Sequence, residues 1–265
     1  MAGATDVKRR MLLAAPLVAW AAQARAQTVD AIRKRGKLSA GVLIDVPPYG
    51  SVGEDGKPQG IDIDVARLLA QRLGLPLDMV AVTGPNRIPY LLSGKVDMLV
   101  AALGIVPDRA KLVDFSHPYS GFSTFLYGKK DVPMRSFADL KGLSVGVPRA
   151  NTADLTISRK APPGTEILRF ADDASVQQAL LSGQVDAVSA SVTSMPILEK
   201  LAGPGRFERK FDVQTQVNGI ALRPGQAELL AWVNDAVDEW MKNGQLAAIY
   251  RKWAGFDLPD LSQAS

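Results

Sequence analysis

Apolar residues along this chain fall into two textures: short continuous runs, and stripes recurring every three or four positions. Together they predict buried strands alternating with amphipathic helices. A first helix is expected over residues 29–35, stopped by Gly36, and then a strand over 37–43. Pro47 and Pro48 withdraw the amides a central strand would use, so 45–50 reads as a loop, and the Gly-, Asp- and Lys-rich 51–60 as an exposed hairpin tip. Ile63, Ala66, Leu69, Ala70 and Leu73 keep helical spacing from Asp62 to Gly74, and a strand follows over 77–82. A short helix over 88–92, ended by Ser93 and Gly94, leads into the apolar run 96–102, which predicts a strand covered on both faces. In open α/β sheets ligands sit beyond the carboxyl ends of the strands, which directs attention to 103–108 and Arg109.

The later chain repeats this rhythm. Strands are expected over 144–147, 166–170 and 185–189, with a helix from about Asn151 and another from Asp172 or Asp173 to Leu181. Two short echoes recur in the same order: LSAGV at 38–42 and LSVGV at 143–147, then LLSGKVD at 91–97 and LLSGQVD at 180–186. Two copies are too few for a solenoid and point instead to two similar α/β lobes with parallel strands and crossover connections. Leu229, Val233, Val237 and Trp240, then Leu246, Ile249 and Trp253, form helical stripes separated by Gly244. Such a tail would pack back on the first lobe and make it discontinuous.

Composition narrows the chemistry. The chain has 265 residues, 47% of them hydrophobic, enough for two modest lobes with real cores. With no cysteine and one histidine, His117, it offers no disulfide framework, thiol nucleophile or multi-histidine metal site. His117 itself reads as structural. No Ser-His-Asp set, nucleophile elbow or phosphate loop is present. Residues 1–26 hold Lys8, Arg9, Arg10 and Arg25 against Asp6, a net +3 of the chain's +4, so the basic balance does not indicate nucleic acid. Their basic start, apolar run and Ala24-Arg25-Ala26 ending predict a secretory leader cut after Ala26. Arg9-Arg10 also allows twin-arginine export.

Two arginines, Arg87 and Arg109, stand in an otherwise apolar setting. By themselves they read equally as a helix-end charge beside Asn86 and a solvated charge between Asp108 and Lys111. The segments NRIPYLLSGKVD, VPDRAKLVDFSHPY, DLKGLSVGV, LLSGQVDA and IYRKWAG, however, together resemble the family 3 extracytoplasmic solute-binding proteins, which deliver polar amino acids to ABC importers. The resemblance covers nearly the whole chain after the leader. It implies a type II periplasmic-binding-protein fold: two α/β lobes, residues 27–120 plus 220–265 and residues 121–219, with hinge crossings near 120–125 and 215–220. It also implies a periplasmic, monomeric protein that hands a small carboxylate-bearing molecule to the membrane permease subunits of an ABC importer, with no cofactor and no nucleic-acid partner.

By the same resemblance Arg109 pairs with a ligand carboxylate, Arg87 with a second one, and Thr152 and Asn151 present the second lobe's loop to the first. Leu103 and Gly104 line the site and Tyr49 the mouth of the cleft. The departures are as informative. Relatives that hold an α-ammonium place an aspartate where this chain has Ser191, and a hydroxyl where it has Gly104. With both acceptors weakened, a dicarboxylic or keto acid lacking the α-ammonium becomes a candidate beside a polar or acidic amino acid, unless Asp45 or the Leu103 and Ala190 carbonyls supply acceptors. Leu43 stands where some acidic-amino-acid binders carry a cation. The rival class is a cyclohexadienyl dehydratase-like enzyme, which would need a carboxylic acid in the cleft, and Ser191 cannot serve. A sensory role would require a separate signalling partner.

Overall fold

The computed structural model describes residues 28–191, 195–203, 205–255 and 257–263; the expected leader lies outside the described residues. The chain opens with α1 (Val29–Arg35), capped by the Thr28 hydroxyl, which accepts from the Ala31 amide at 3.1 Å. Then come β1 (Leu38–Val42), the hairpin of β2 (Ser51–Val52) and β3 (Pro58–Gln59), and α2 (Ile61–Leu73). The next elements are β4 (Leu77–Ala81), α3 (Arg87–Leu92), β5 (Met98–Leu99), α4 (Pro107–Ala110) and the long β6 (Asp114–Lys129). The later chain forms β7 (Ser144–Pro148), α5 (Thr152–Lys160), β8 (Glu166–Phe170), α6 (Asp173–Ser182), β9 (Ala187–Ser191) and α7 (Met195–Ala202). Long β10 (Phe207–Leu222), α8 (Ala227–Lys242) and α9 (Gln245–Ala254) complete it.

The sheet order is β4-β1-β5-β10-β6-β9-β7-β8. Each end is parallel, as the alternating pattern predicts, and the antiparallel pair β6 and β10 joins the two ends. Those two sixteen-residue strands hide in the sequence because Pro118 and Gly121 interrupt one of them. Pro118 faces Gly219 where the register slips on both sides, and a bulge is the place where a strand tolerates a residue without an amide. The expected strand over 96–102 shrinks to Met98–Leu99, and β9 starts two residues later than expected. Residues 96–103 are all buried, so the apolar run reports cover by helices rather than strand length; Ala102, at φ 44, already turns the chain aside.

Buried residues separate into clusters that match two lobes. One runs from Val29 to Tyr119 and resumes from Ile220 to Tyr250, taking in Leu229, Val233, Val237 and Trp240 of α8; the others lie between Phe125 and Val213. The sequence echoes are one device used twice. Asp97 accepts the Ser39 amide at 2.9 Å and pairs with Arg35, while Asp186 accepts the Ser144 amide at 2.9 Å and its hydroxyl at 2.8 Å. In each lobe the V-D carboxylate therefore locks the start of one strand to the strand beside it. His117 lies on β6, where its ring nitrogen meets Asp238 of α8 at 2.8 Å.

Candidate functional site

Between the lobes lies a cavity of about 100 Å³. Of the residues singled out from sequence, Arg87, Asn151, Thr152, Ser191 and Tyr49 line it. Arg87 is the first residue of α3, and only 4% of it is exposed; its Nη1 donates to the Ala101 carbonyl at 2.8 Å. Behind it is Asp62, fully buried on α2, whose Oδ1 accepts from the Tyr119 hydroxyl at 2.6 Å while Oδ2 has no hydrogen-bond partner among the described residues.

Arg109 sits on α4, is not among the residues lining the cavity, and bridges the lobes by donating to Thr152, which does line it. Its Nη1 donates to the Gly104 carbonyl and to Thr152 Oγ1, each at 3.1 Å, and Nη2 to the Ala150 carbonyl at 3.0 Å. The second-lobe loop is built to meet it. Ala150 takes a left-handed φ of 58, its amide held by Asp154 Oδ2 at 2.9 Å, and Asn151 caps α5 by accepting the Asp154 amide at 2.7 Å. Arg169 fixes Asp154 in turn, at 2.9 Å.

Two expectations need correcting, and one is extended: Tyr49, 2% exposed, lines the cavity and also braces the hinge strand β6 beside Tyr250, its hydroxyl donating to the Gly121 carbonyl at 3.1 Å. Leu103 belongs to the first lobe's core, and its carbonyl already accepts the Gly219 amide at 3.2 Å, so it is not a free acceptor. Gly104 is not among the residues lining the cavity. A Cβ there would come within 2.7 Å of Thr152 Oγ1 and 3.1 Å of the Gln216 amide group, so the lobes meet closely only because no side chain is present.

Sequence reasoning missed Gln216, Phe122, Arg149, Asp172 and Asp173 as lining residues, and held Asp45 only as a formal possibility. Gln216 belongs to β10, and the Gln216 amide donates to Asn218 at 2.6 Å and Asn218 to Ser120 at 3.0 Å, a polar chain across the hinge strands.

Burial governs the titration of these groups. It lowers Arg87 to about 10, an effect that Asp62, Tyr119 and Asp45 oppose, and lowers Arg109 to about 9, where neighbouring Arg87 adds to it. Two guanidiniums in one dry setting each gain from an anion. Burial raises Asp62 to about 7, against the Tyr119 hydroxyl, the Ala102 amide and Arg87, and raises Asp173 to about 6, with Asp45 and Asp172 adding to the rise. A carboxyl that holds its proton more tightly when folded gives stability that is complete below its unfolded value and gone above its folded one. Asp64, Asp78 and Asp186, held below the usual range, stay ionised at pH 5 and do not offset this. The ligand-free protein should therefore melt at a higher temperature at pH 5 than at pH 8. A melting point that climbs between those values would contradict the assignment.

A family model described as bacterial extracellular solute-binding proteins, family 3, matches residues 38–256. The L-cystine-binding protein TcyJ of Escherichia coli K12 is 30% identical over 238 residues, 87% of this chain and 87% of that protein. The ABC transporter glutamine-binding protein GlnH of Bacillus subtilis is likewise 30% identical, over 87% of this chain and 86% of its own. Among solved structures, an ancestral amino acid-binding protein described as a precursor of cyclohexadienyl dehydratase superposes with a TM-score of 0.77 at 33% identity, covering 86% of this chain and 100% of that one. These relatives are named as binding proteins, not enzymes.

Proposed function

Because the chain belongs to the bacterial extracellular solute-binding proteins of family 3 and has their two-lobed type II periplasmic-binding-protein fold, we propose that it captures a small carboxylate-bearing solute between its lobes and presents it to the permease subunits of an ABC importer. Its place of work is the periplasm, reached through the leader at residues 1–26. The lobes divide at 120/121 and 219/220, within β6 and β10, a division supported by the separate buried clusters.

One observation carries the reading: Arg109 of the first lobe donates to Thr152 and to Ala150 of the second. A guanidinium placed there can hold a carboxylate in two parallel bonds while tying the jaws together. Arg87, which lines the cavity that Thr152 also lines, adds charge for that group or for a second acid. Thr152 closes from across the cleft, and the start of α5 beside it favours an anion. The solute is a polar amino acid, as the relatives' names suggest, or an acidic amino acid or organic acid of similar size. The carboxylate is the part of the claim to test. Calorimetry with arginine against agmatine, and glutamine against 4-aminobutanamide, compares each acid with its decarboxylated form. Any acid that binds should exceed its partner at least tenfold in affinity, and equal affinities would refute the reading.

A further inference from the structure

Asp62 takes no part in the capture described so far, yet it is fully buried behind Arg87 with half of its carboxylate unsatisfied. Its Oδ1 accepts from the Tyr119 hydroxyl at 2.6 Å, and Oδ2 has no hydrogen-bond partner among the described residues. We propose that Asp62 is the positioning residue of Arg87, and that capture of an acid draws a proton from the surrounding water onto Asp62 Oδ2. This rests on the capture of a carboxylate solute between the lobes, and it adds a linkage between capture and pH.

One turn serves both groups. Ala102, a few residues past β5, takes a left-handed φ of 44, a conformation that alanine adopts only when its surroundings impose it. The turn offers consecutive backbone groups to the two side chains: the Ala101 carbonyl accepts Arg87 Nη1 at 2.8 Å, and the Ala102 amide acts on Asp62. That is Arg87's one hydrogen bond among the described residues, which leaves most of its donor fork for a solute. Carboxylate and guanidinium share no hydrogen bond, but their charges act on one another. The other titratable groups facing Asp62 are two phenols, Tyr119 of β6 and Tyr49 of the loop after β1. On α2 itself, Asp64 is taken up by Arg67, Lys252 and Trp253. Arg87 is the cation that acts on Asp62.

A carboxylate in a dry setting with one oxygen unpartnered stays ionised only as far as its neighbours allow. Burial pushes Asp62 up to about 7, with the Tyr119 hydroxyl, the Ala102 amide and Arg87 opposing, so it stands near half-protonation at neutral pH. A solute carboxylate against Arg87 brings a negative charge that offsets the pull of the guanidinium. Asp62 then holds its proton more tightly. By linkage, the bound state carries more protons than the free state around and above pH 7, and affinity rises as pH falls through that range. Asp45 and Asp173 are raised too, Asp173 to about 6, and both line the cavity. Comparison with Asp62→Asn separates their share.

The test uses the full mature chain, with each variant checked by a thermal melt. In the first arm no solute is present, and infrared spectra follow the carbonyl stretch of protonated carboxylic acids from pH 5 to pH 9. Wild type should show a band that titrates near pH 7 and is missing in Asp62→Asn. Arg87→Gln and the stem-preserving Arg87→Met each remove the opposing cation, and Tyr119→Phe the opposing hydroxyl. Each should move the midpoint up by about one pH unit. A band that survives Asp62→Asn, or a midpoint unmoved in the Arg87 variants, would overturn the pairing. In the second arm calorimetry with glutamine, arginine and glutamate runs at pH 6 and pH 8, in two buffers of different ionisation heat. An acid that binds should gain about tenfold in affinity from pH 8 to pH 6, with a buffer-dependent heat that shows proton uptake. Asp62→Asn should lose both effects. Equal wild-type affinity at the two pH values, or the same dependence in Asp62→Asn, would overturn the proton uptake. Arginine against agmatine at pH 8 reports on the carboxylate end alone, so failure of that reading shows separately from the infrared result.

Discussion

Replacing Arg109 by alanine should reduce affinity for the transported acid several-hundredfold or more while leaving a folded protein. Arg109 is 5% exposed, and its three hydrogen bonds go to Gly104 of its own lobe and to Thr152 and Ala150 of the other, so its guanidinium is held between the lobes. A carboxylate enclosed there without it would be a buried charge stripped of its partner, a loss of about 3 to 5 kcal/mol, where 1.4 kcal/mol is tenfold. The folded state should lose little, because removing the side chain also removes a charge that burial disfavours, to the extent of lowering it to about 9. Arg109→Lys should not restore binding, since an ammonium lacks the planar fork. Calorimetry with any acid that wild type binds, beside a thermal melt of each variant, checks this. Unchanged affinity in Arg109→Ala would remove the central contact from the proposed mechanism.

What could be read in advance was what short-range chemistry controls. The Gly36 and Gly74 helix stops hold because left-handed φ values of 81 and 68 suit glycine. The V-D echo was visible because each lobe needs the same lock on Ser39 and Ser144. Arg87 and Arg109 stood out because charge in an apolar run is unusual, yet the sequence could not show that one would line the cavity and the other bridge the lobes. The losses are long-range. Tyr49 donates to a carbonyl 72 residues away, which nothing local signals. Asp172 and Asp173 were read only as a helix start, because a cap residue and a cavity residue look alike in sequence. Gly104 was read as a missing hydroxyl, whereas the space it leaves is what lets Thr152 approach.

That same reasoning about space makes Gly84→Ala a clean way to separate closing from folding. Gly84 follows β4 and lines the cavity from the first lobe. A Cβ built on it meets one residue within 4 Å, Arg149 of the second lobe, whose backbone carbonyl oxygen would be 2.7 Å away. Within its own lobe the methyl has room, and alanine also leaves the unfolded chain less freedom, so stability should hold or rise slightly. Only the closed state is obstructed, and by backbone, which cannot rotate aside. Overpacking of this kind costs about 1 to 3 kcal/mol, up to about a hundredfold in the closed population. A solute favours closure only through contacts the closed state alone makes, so its apparent affinity falls by the same factor. Calorimetry should show up to about a hundredfold loss with an unchanged or higher melting point, and scattering should show a protein that stays extended at solute concentrations saturating the wild type. A variant that binds and compacts like wild type would mean that the Gly84 and Arg149 loops do not meet in the state that holds the solute.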